Sequence, residues 1–277
     1  NADLCDRAAF TAALEGVTDV VLLAGLVGDP VTKTYPEAAA RVNDDGHAMM
    51  LEALEGRGLG RVIFVSTCSN YGLREDNTPA DETAPLNPLS LYAQSKVAVE
   101  KALLARADAV DHAPTVLRFA TAFGLSPRMR FDLTVSEFTR ALALGRELLV
   151  YDAHTWRPYC HLRDFATVIR RVLEAPRERV AGEVFNAGGD VNNYTKQSLI
   201  DAVLAELPEA RDRVTYQEQG SDPRNYRVDF RKVRETLYFE PSWTVPDGIR
   251  ELVAAIRQGL FHRIDRPESF YGNWVVR

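Results

Sequence analysis

Residues 61–67 read RVIFVST: one arginine, four apolar residues, then a serine and a threonine. Successive side chains of a strand point to opposite faces, so a run this apolar buries both. Strands of that kind belong to parallel sheets covered by helices on either side. Three further stretches read the same way: VTDVVLLAG (17–25), PTVLRFAT (114–121) and GEVFNAGG (182–189). Helical patterns separate the first three strands. YPEAAARVNDDGHAMMLEALEGRG (35–58) has Gly56 and Gly58 as stop signals, and SLYAQSKVAVEKALL (90–104) follows a polar loop holding Pro79, Pro85 and Pro88. The β-α-β-α-β rhythm predicts an α/β fold with a doubly wound parallel sheet.

The second half is less regular. Helices are expected over LTVSEFTRALALG (133–145), RDFATVIRRVLEA (163–175), near residues 198–207 and over VPDGIRELVAAIRQGL (245–260). Short strands are expected at ELLVY (147–151) and near 214–217. This mixture suits a smaller, mixed C-terminal domain. The expected division is residues 1–125 for the sheet domain, 126–277 mainly for the second, with segments near 155–189 returning to the first.

Bulk properties exclude several classes. The chain has 277 residues, 46% hydrophobic and 26% charged, with net charge −6 and no basic run. That argues against a dedicated nucleic-acid partner. No apolar run approaches the ~18 residues of a membrane span. Cys5, Cys68 and Cys160 are far apart, so a disulfide framework is not expected and a reducing, cytoplasmic compartment is. The histidines show no metal-ligand spacing, and His161 reads as a hydrogen-bonded structural residue.

One helix carries an unusual stripe. Positions 92, 96, 99 and 103 share a face, and two of them are Tyr92 and Lys96. Both side chains can simply edge a core, because each has an apolar stem and a polar tip. Their context suggests more. In an open α/β sheet, ligands sit beyond the carboxyl ends of strands. Thr67, Gly25 and Thr121 all fall at such ends. A phenol is a poor base at neutral pH, and a nearby cation is expected to lower its pKa. Tyr, Lys and a strand-end Thr together suit interconversion of alcohol and ketone, which needs a nicotinamide hydride carrier.

The order of motifs DLCD, LLAGLVG, ARVNDDG, VSTCSNYG, SLYAQSK, LRFATAFG, RPYCHLRD, EVFNAGG and DPRNYRVD resembles the extended short-chain dehydrogenase/reductases. The nearest branch is the NAD-dependent nucleotide-sugar epimerase/dehydratase group of UDP-glucose 4-epimerase-like enzymes. The resemblance implies a Rossmann domain that binds NAD (NADP not excluded) and a C-terminal domain that binds a nucleotide sugar. It implies Tyr92 as acid/base, Lys96 as the group that lowers its pKa and holds the nicotinamide ribose, and Thr67 as the catalytic hydroxyl. It places Asp3 and Leu4 at adenine, Ala24, Gly25 and Leu26 along the cofactor, and Asn43 near it. Arg157 and Arg224 match positions that grip the sugar nucleotide's diphosphate, as guanidinium geometry suits. Thr121 and Ser136 fall at substrate positions. Plainer readings stand beside these: Asp3 as a turn cap, Asn43 as a satisfied helix residue, the arginines as surface ion pairs, and Cys68 as a small buried thiol. Family members dimerise through the Tyr/Lys helix. Ala98, Ala102 and Ala105 permit such packing or face the domain's own core.

The departures shape the expected reaction. The family opens with a strand and a GxxGxxG loop whose helix takes the cofactor pyrophosphate. That segment is absent here, and at ~30 residues per βαβ unit about 50 to 70 residues are expected upstream. Without them, Val20–Leu23 and Val62–Val65 are expected to lack neighbours on one side, and cofactor binding to be weak. The commonest dehydratases carry Asp and Glu after the catalytic Thr, where this chain has Cys68 and Ser69. Thr121, Phe123 and Ser136 replace a usual Asn, Tyr and Asn. An epimerase needs no added carboxylate and is the first expectation. A ketoreductase or dehydratase of the same family is the alternative, and a non-catalytic dinucleotide-binding scaffold the rival from another class.

Overall fold

The computed structural model describes residues 3–74, 78–261 and 271–272. The chain runs α1 (Arg7–Ala13), β1 (Asp19–Leu22), α2 (Asp29–Thr34), α3 (Pro36–Ala39), a π-helical stretch (Ala40–Gly46), α4 (His47–Leu54), β2 (Arg61–Thr67) and α5 (Leu91–Leu104). It continues through β3 (Ala113–Phe119), β4 (Thr121–Phe123), α6 (Thr134–Ala143), β5 (Leu148–Tyr151), β6 (Trp156–His161), α7 (Leu162–Glu174) and β7 (Glu183–Ala187). The last elements are β8 (Asn193–Thr195), α8 (Lys196–Glu206), β9 (Val214–Gln217), α9 (Arg231–Leu237) and α10 (Val245–Arg257).

The main sheet has the order β1-β2-β3-β7, parallel throughout. Its strands are doubly covered, as their apolar runs require. Val62, Phe64 and Val116 pack against Met50, Leu51 and Leu54 of α4 and Val99 and Leu103 of α5. The alternate residues Ile63, Leu117 and Phe185 pack on the opposite face against Val168 and Val172 of α7 and Val233 and Leu237 of α9. Each such fully buried side chain contributes about 1.5–3 kcal/mol.

One expectation is corrected. β2 is hydrogen-bonded on both sides, to β1 and to β3, so Val62, Ile63 and Phe64 do not lack a neighbour. Among the described strands β1 and β7 form the edges.

A second core lies among α6, α8 and α10, where Phe138, Leu142, Leu199, Ile200, Val203, Ile249 and Val253 meet. Two small sheets flank it. β6 pairs with β4 in parallel and with β8 antiparallel, and β5 pairs with β9. The expected C-terminal elements are present. α1, α2, β4, β8, α9 and the π-helical stretch were not expected as separate elements.

The packing of α5 positions the site. Ser90 Oγ accepts from the Ala93 N–H at 3.2 Å and caps the helix. Its buried face includes Lys96, Val97, Val99, Glu100 and Leu103. Ala98, Ala102 and Ala105 are exposed, so they point away from the domain's own core.

Candidate active site

The carboxyl ends of β1, β2 and β3 lie along one edge of the parallel sheet. Thr67 closes β2, opposite Phe119 of β3 in register. It is half-buried, and its Oγ1 accepts from the Ser69 N–H at 3.1 Å, capping the short 3-10 turn Cys68–Tyr71. That bond uses a lone pair and leaves the hydroxyl proton for a ligand oxygen.

Lys96 is buried at 5% exposure. Its Nζ donates to the Val65 carbonyl at 2.8 Å and lies 4.5 Å from the Phe64 ring centroid. One carbonyl engages one of three ammonium donors. Burial lowers the Lys96 pKa to about 8, with the Glu100 charge acting the other way. Lys96 Nζ is 5.9 Å from the Tyr92 ring centroid.

Tyr92 differs from expectation. Tyr92 is half-buried. This burial raises its pKa well above the ordinary phenol value, and the Asp29 carboxylate adds to the rise while Arg130 opposes it. Lys96 is not among the charges that set it, so the expectation that Lys96 depresses the Tyr92 pKa fails on this geometry. The lysine points to the Val65 carbonyl instead.

The loop after β1 is held by Asn43. Its Oδ1 accepts from the Leu26 N–H at 2.8 Å, and its Nδ2 donates to the Leu26 carbonyl at 2.9 Å. The π-helical stretch that carries Asn43 sets this approach; π-bulges recur where a helix must re-aim a side chain. Gly25 adopts φ +152°, and a Cβ there would lie 3.0 Å from Asn43 Oδ1. The loop thus presents backbone without a side chain at Gly25, as a closely approached dinucleotide requires. This backbone, with the spare donors of Lys96, fits the cofactor's ribose side.

Beside the loop, Asp3 is exposed, accepts from the Cys5 N–H at 3.0 Å and pairs with Arg41 at 2.9 Å. Leu4 packs against the α4/α5 core.

The two arginines meet. Arg157 is 6% exposed and not a surface residue. Its Nη2 is 2.9 Å from Asp222 Oδ2, and its Nη1 donates to the Arg224 carbonyl. Arg224 grips Asp222 at 2.8 and 2.9 Å and reaches Asp29 Oδ2 at 2.9 Å. Burial acts to raise the Asp222 pKa, but the Arg224 hydrogen bond and the Arg157 charge win and hold it well below the usual range. Arg157 lies over the ring of buried Tyr226, 5.4 Å from its centroid. Thr121 begins β4 opposite Tyr159, and Ser136 is buried in α6. Among the described residues neither hydrogen-bonds to the arginine pair.

Cys68 is buried, donates to the Arg118 carbonyl at 3.0 Å, and has its pKa pushed up by burial, as a structural thiol does. His161 is structural too. Its Nε2 meets Glu251 Oε2 at 3.2 Å and its ring stacks on Trp243. The three cysteines are free, no group of three metal-ligating residues occurs among the described residues, and no described helix can cross a membrane.

Asp29, Ser90, Asp222, Glu100 and Arg118 escaped the sequence reading. An Arg inside the apolar strand PTVLRF and a Glu one turn beyond Lys96 were the available signals, since buried charges demand partners.

The sequence profile of the NAD dependent epimerase/dehydratase family matches residues 1–188. The chain belongs to that family. A dTDP-glucose 4,6-dehydratase of Streptomyces niveus is 29% identical over 256 residues, spanning 91% of this chain and 73% of that protein. A UDP-glucose 4-epimerase of Mycolicibacterium smegmatis is 26% identical, spanning 80% of this chain and 70% of that one. Among solved structures, the Thermotoga maritima UDP-glucose 4-epimerase with UDP-glucose superposes with TM-score 0.83 at 24% identity, over 94% of this chain and 84% of that chain. DesIV, the dTDP-glucose 4,6-dehydratase of Streptomyces venezuelae solved with NAD, gives TM-score 0.82 at 24% identity, over 95% and 81%. The chain therefore has the Rossmann-like fold of this NAD-dependent family, whose members include both epimerases and dehydratases.

Proposed function

We propose that this protein is an NAD-dependent nucleotide-sugar epimerase acting through a transient keto-sugar. What supports the reading is Lys96 beside Tyr92 on α5, its Nζ on the Val65 carbonyl of the strand that Thr67 ends, with Cys68 and Ser69 where the commonest dehydratases hold two carboxylic acids. Cys68 faces the core with a raised pKa and can serve as neither acid nor base. The same comparison weighs against a dehydratase, although several relatives carry that name. The catalytic set weighs against a scaffold.

In this reading Tyr92 moves the proton of the sugar hydroxyl, and Thr67 hydrogen-bonds to the same oxygen. Bound NAD would supply the hydride acceptor and donor for this chemistry. The raised pKa of Tyr92 keeps the phenol protonated, which suits the returning half of the reaction. Lys96 holds the nicotinamide ribose with donors the Val65 carbonyl leaves spare. Ala24, Gly25, Leu26 and Asn43 line the cofactor, with Asp3 and Leu4 at its adenine end. Arg157 and Arg224 take the diphosphate, and Thr121 and Ser136 belong to the sugar side.

The reading divides the chain into a cofactor half, residues 1–125 with segments near 155–189, and a mainly substrate-binding remainder. It includes a cytoplasmic homodimer through the outward alanine face of α5, which sedimentation velocity tests. NADP is the alternative cofactor. The functional test is turnover of a panel of UDP-, dTDP- and GDP-sugars with NAD. Isomerised sugar without net NADH supports the epimerase, keto-sugar with an equal amount of NADH formed the ketoreductase run in reverse, and no turnover of any sugar the scaffold.

A further inference from the structure

The arginine pair is electrically balanced before any nucleotide meets it. Two guanidiniums face two carboxylates, Asp222 and Asp29, and the latter come from different parts of the fold. Asp222 lies two residues from Arg224 and is shared with Arg157, whose side chain is 7% exposed. Asp29 begins α2, beyond the β1 loop, and meets only Arg224 of the two. Its other oxygen accepts from Ser90 Oγ at 2.6 Å.

These two contacts differ in how readily they exchange. The Asp29–Arg224 pair is half-buried, with side chains 30% and 27% exposed, so water and salt reach both partners. In the Arg157–Asp222 pair the arginine is the enclosed partner, 7% exposed against 36% for Asp222, and leaving its charge uncompensated is costly. Asp29 also has somewhere to stay. Ser90 caps α5, and a carboxylate at a helix N-terminus is favoured by the helix dipole. A diphosphate carries at least two negative charges, and facing Asp29 and Asp222 together it gains little from the cluster. With Asp29 withdrawn from Arg224, the site offers a net positive charge and a free guanidinium edge suited to bidentate phosphate contact.

We propose that Asp29 competes with the substrate diphosphate for Arg224 and so sets the affinity of the site for nucleotides, an inference that rests on the reading of Arg157 and Arg224 as the diphosphate grip. Asp29 is thereby an affinity-setting residue that joins the β1 loop, the Tyr92 helix and the Arg224 segment in one exchange.

The test is calorimetric titration of the full chain with UDP, dTDP, GDP, CDP and ADP, continuing with the tightest. Asp29→Asn keeps an oxygen for Ser90 and removes the charge. It should tighten binding about threefold or more, and Asp29→Ala, which gives up the Ser90 contact, should act in the same direction. Arg224→Ala should weaken binding about tenfold, and in that background Asp29→Asn should tighten it less than in the wild type. If Arg224→Ala weakens binding but neither Asp29 variant tightens it while both melt as the wild type does, the competition is wrong and the arginine reading survives. If Arg224→Ala changes nothing, or the wild type binds none of the five, the arginine reading falls and the competition with it.

Discussion

Glu100 and Arg118 form a buried, two-pronged ion pair one helical turn beyond Lys96. Arg118 Nη2 lies 2.7 Å from Glu100 Oε2 and Nε lies 3.1 Å from the same oxygen. Glu100 also accepts from Ser66, the neighbour of Thr67, and from Asn70 at 2.8 Å. Arg118 extends the network to Tyr71 OH, which reaches Asn186 Oδ1 at 2.7 Å. The pair ties α5, with its Tyr92 and Lys96, to β2 and β3.

Removing one partner of this pair strands the other charge. Glu100→Gln is therefore expected to cost about 3–5 kcal/mol in urea unfolding. Replacing both residues with leucine and methionine should recover most of that loss. An effect of Glu100→Gln below ~1 kcal/mol would show that the network is dispensable to the fold.

Burial of the Lys96 ammonium costs stability at neutral pH. Its pKa is lowered from 10.5 to about 8 by burial. Between those values the unfolded chain binds more protons than the folded one, so stability rises with pH across that window. Below pH 8 the full net penalty applies, about 3 kcal/mol on the scale of that shift. Lys96→Met is expected to abolish turnover, to raise the midpoint of urea unfolding at pH 7, and to flatten the pH dependence between 8 and 10.5. A destabilised Lys96→Met at pH 7 would mean that the lysine's contacts outweigh its burial.

Tyr92 has the opposite sign. Burial first, then the Asp29 charge, hold its pKa above the phenol value, while Arg130 pulls it down. The rate of sugar oxidation should therefore climb with pH towards that raised pKa. Asp29→Asn should move the climb to lower pH and Arg130→Gln to higher pH. Superimposable pH–kcat/KM profiles for the three proteins would remove Asp29 and Arg130 from the phenol's surroundings.

Much of this architecture was legible in the sequence because burial on both faces leaves long apolar runs. β1, β2, β3 and β7 were read that way, and the spacing of Tyr92 and Lys96 exposed their shared helix. The short polar element β8, NYT, and α2, DPVTKT, have no run or stripe long enough to show a period. The π-helical stretch that places Asn43 is a backbone adjustment with no periodic signature. Asp29 and Arg224 illustrate the deeper limit. They are remote in the chain, and their pairing arises only when the start of α2 and the segment around Arg224 meet in the fold. The direction of the Tyr92 pKa was misjudged for the same reason: spacing places Lys96 one turn away, but only the packed structure shows its ammonium turned to Val65.

The most direct measurement follows Tyr92 through the proposed reaction by NMR of the sugar products. Wild-type protein with NAD and its nucleotide sugar should yield a C–H epimer of the same mass, without net NADH, and with no solvent deuterium at the inverted carbon. Tyr92→Phe, which keeps the ring but removes the exchangeable proton, should lower that turnover by ~10²-fold or more at unchanged nucleotide affinity. A product lighter by one water, a stoichiometric build-up of NADH, or near wild-type epimerisation by Tyr92→Phe would contradict the account.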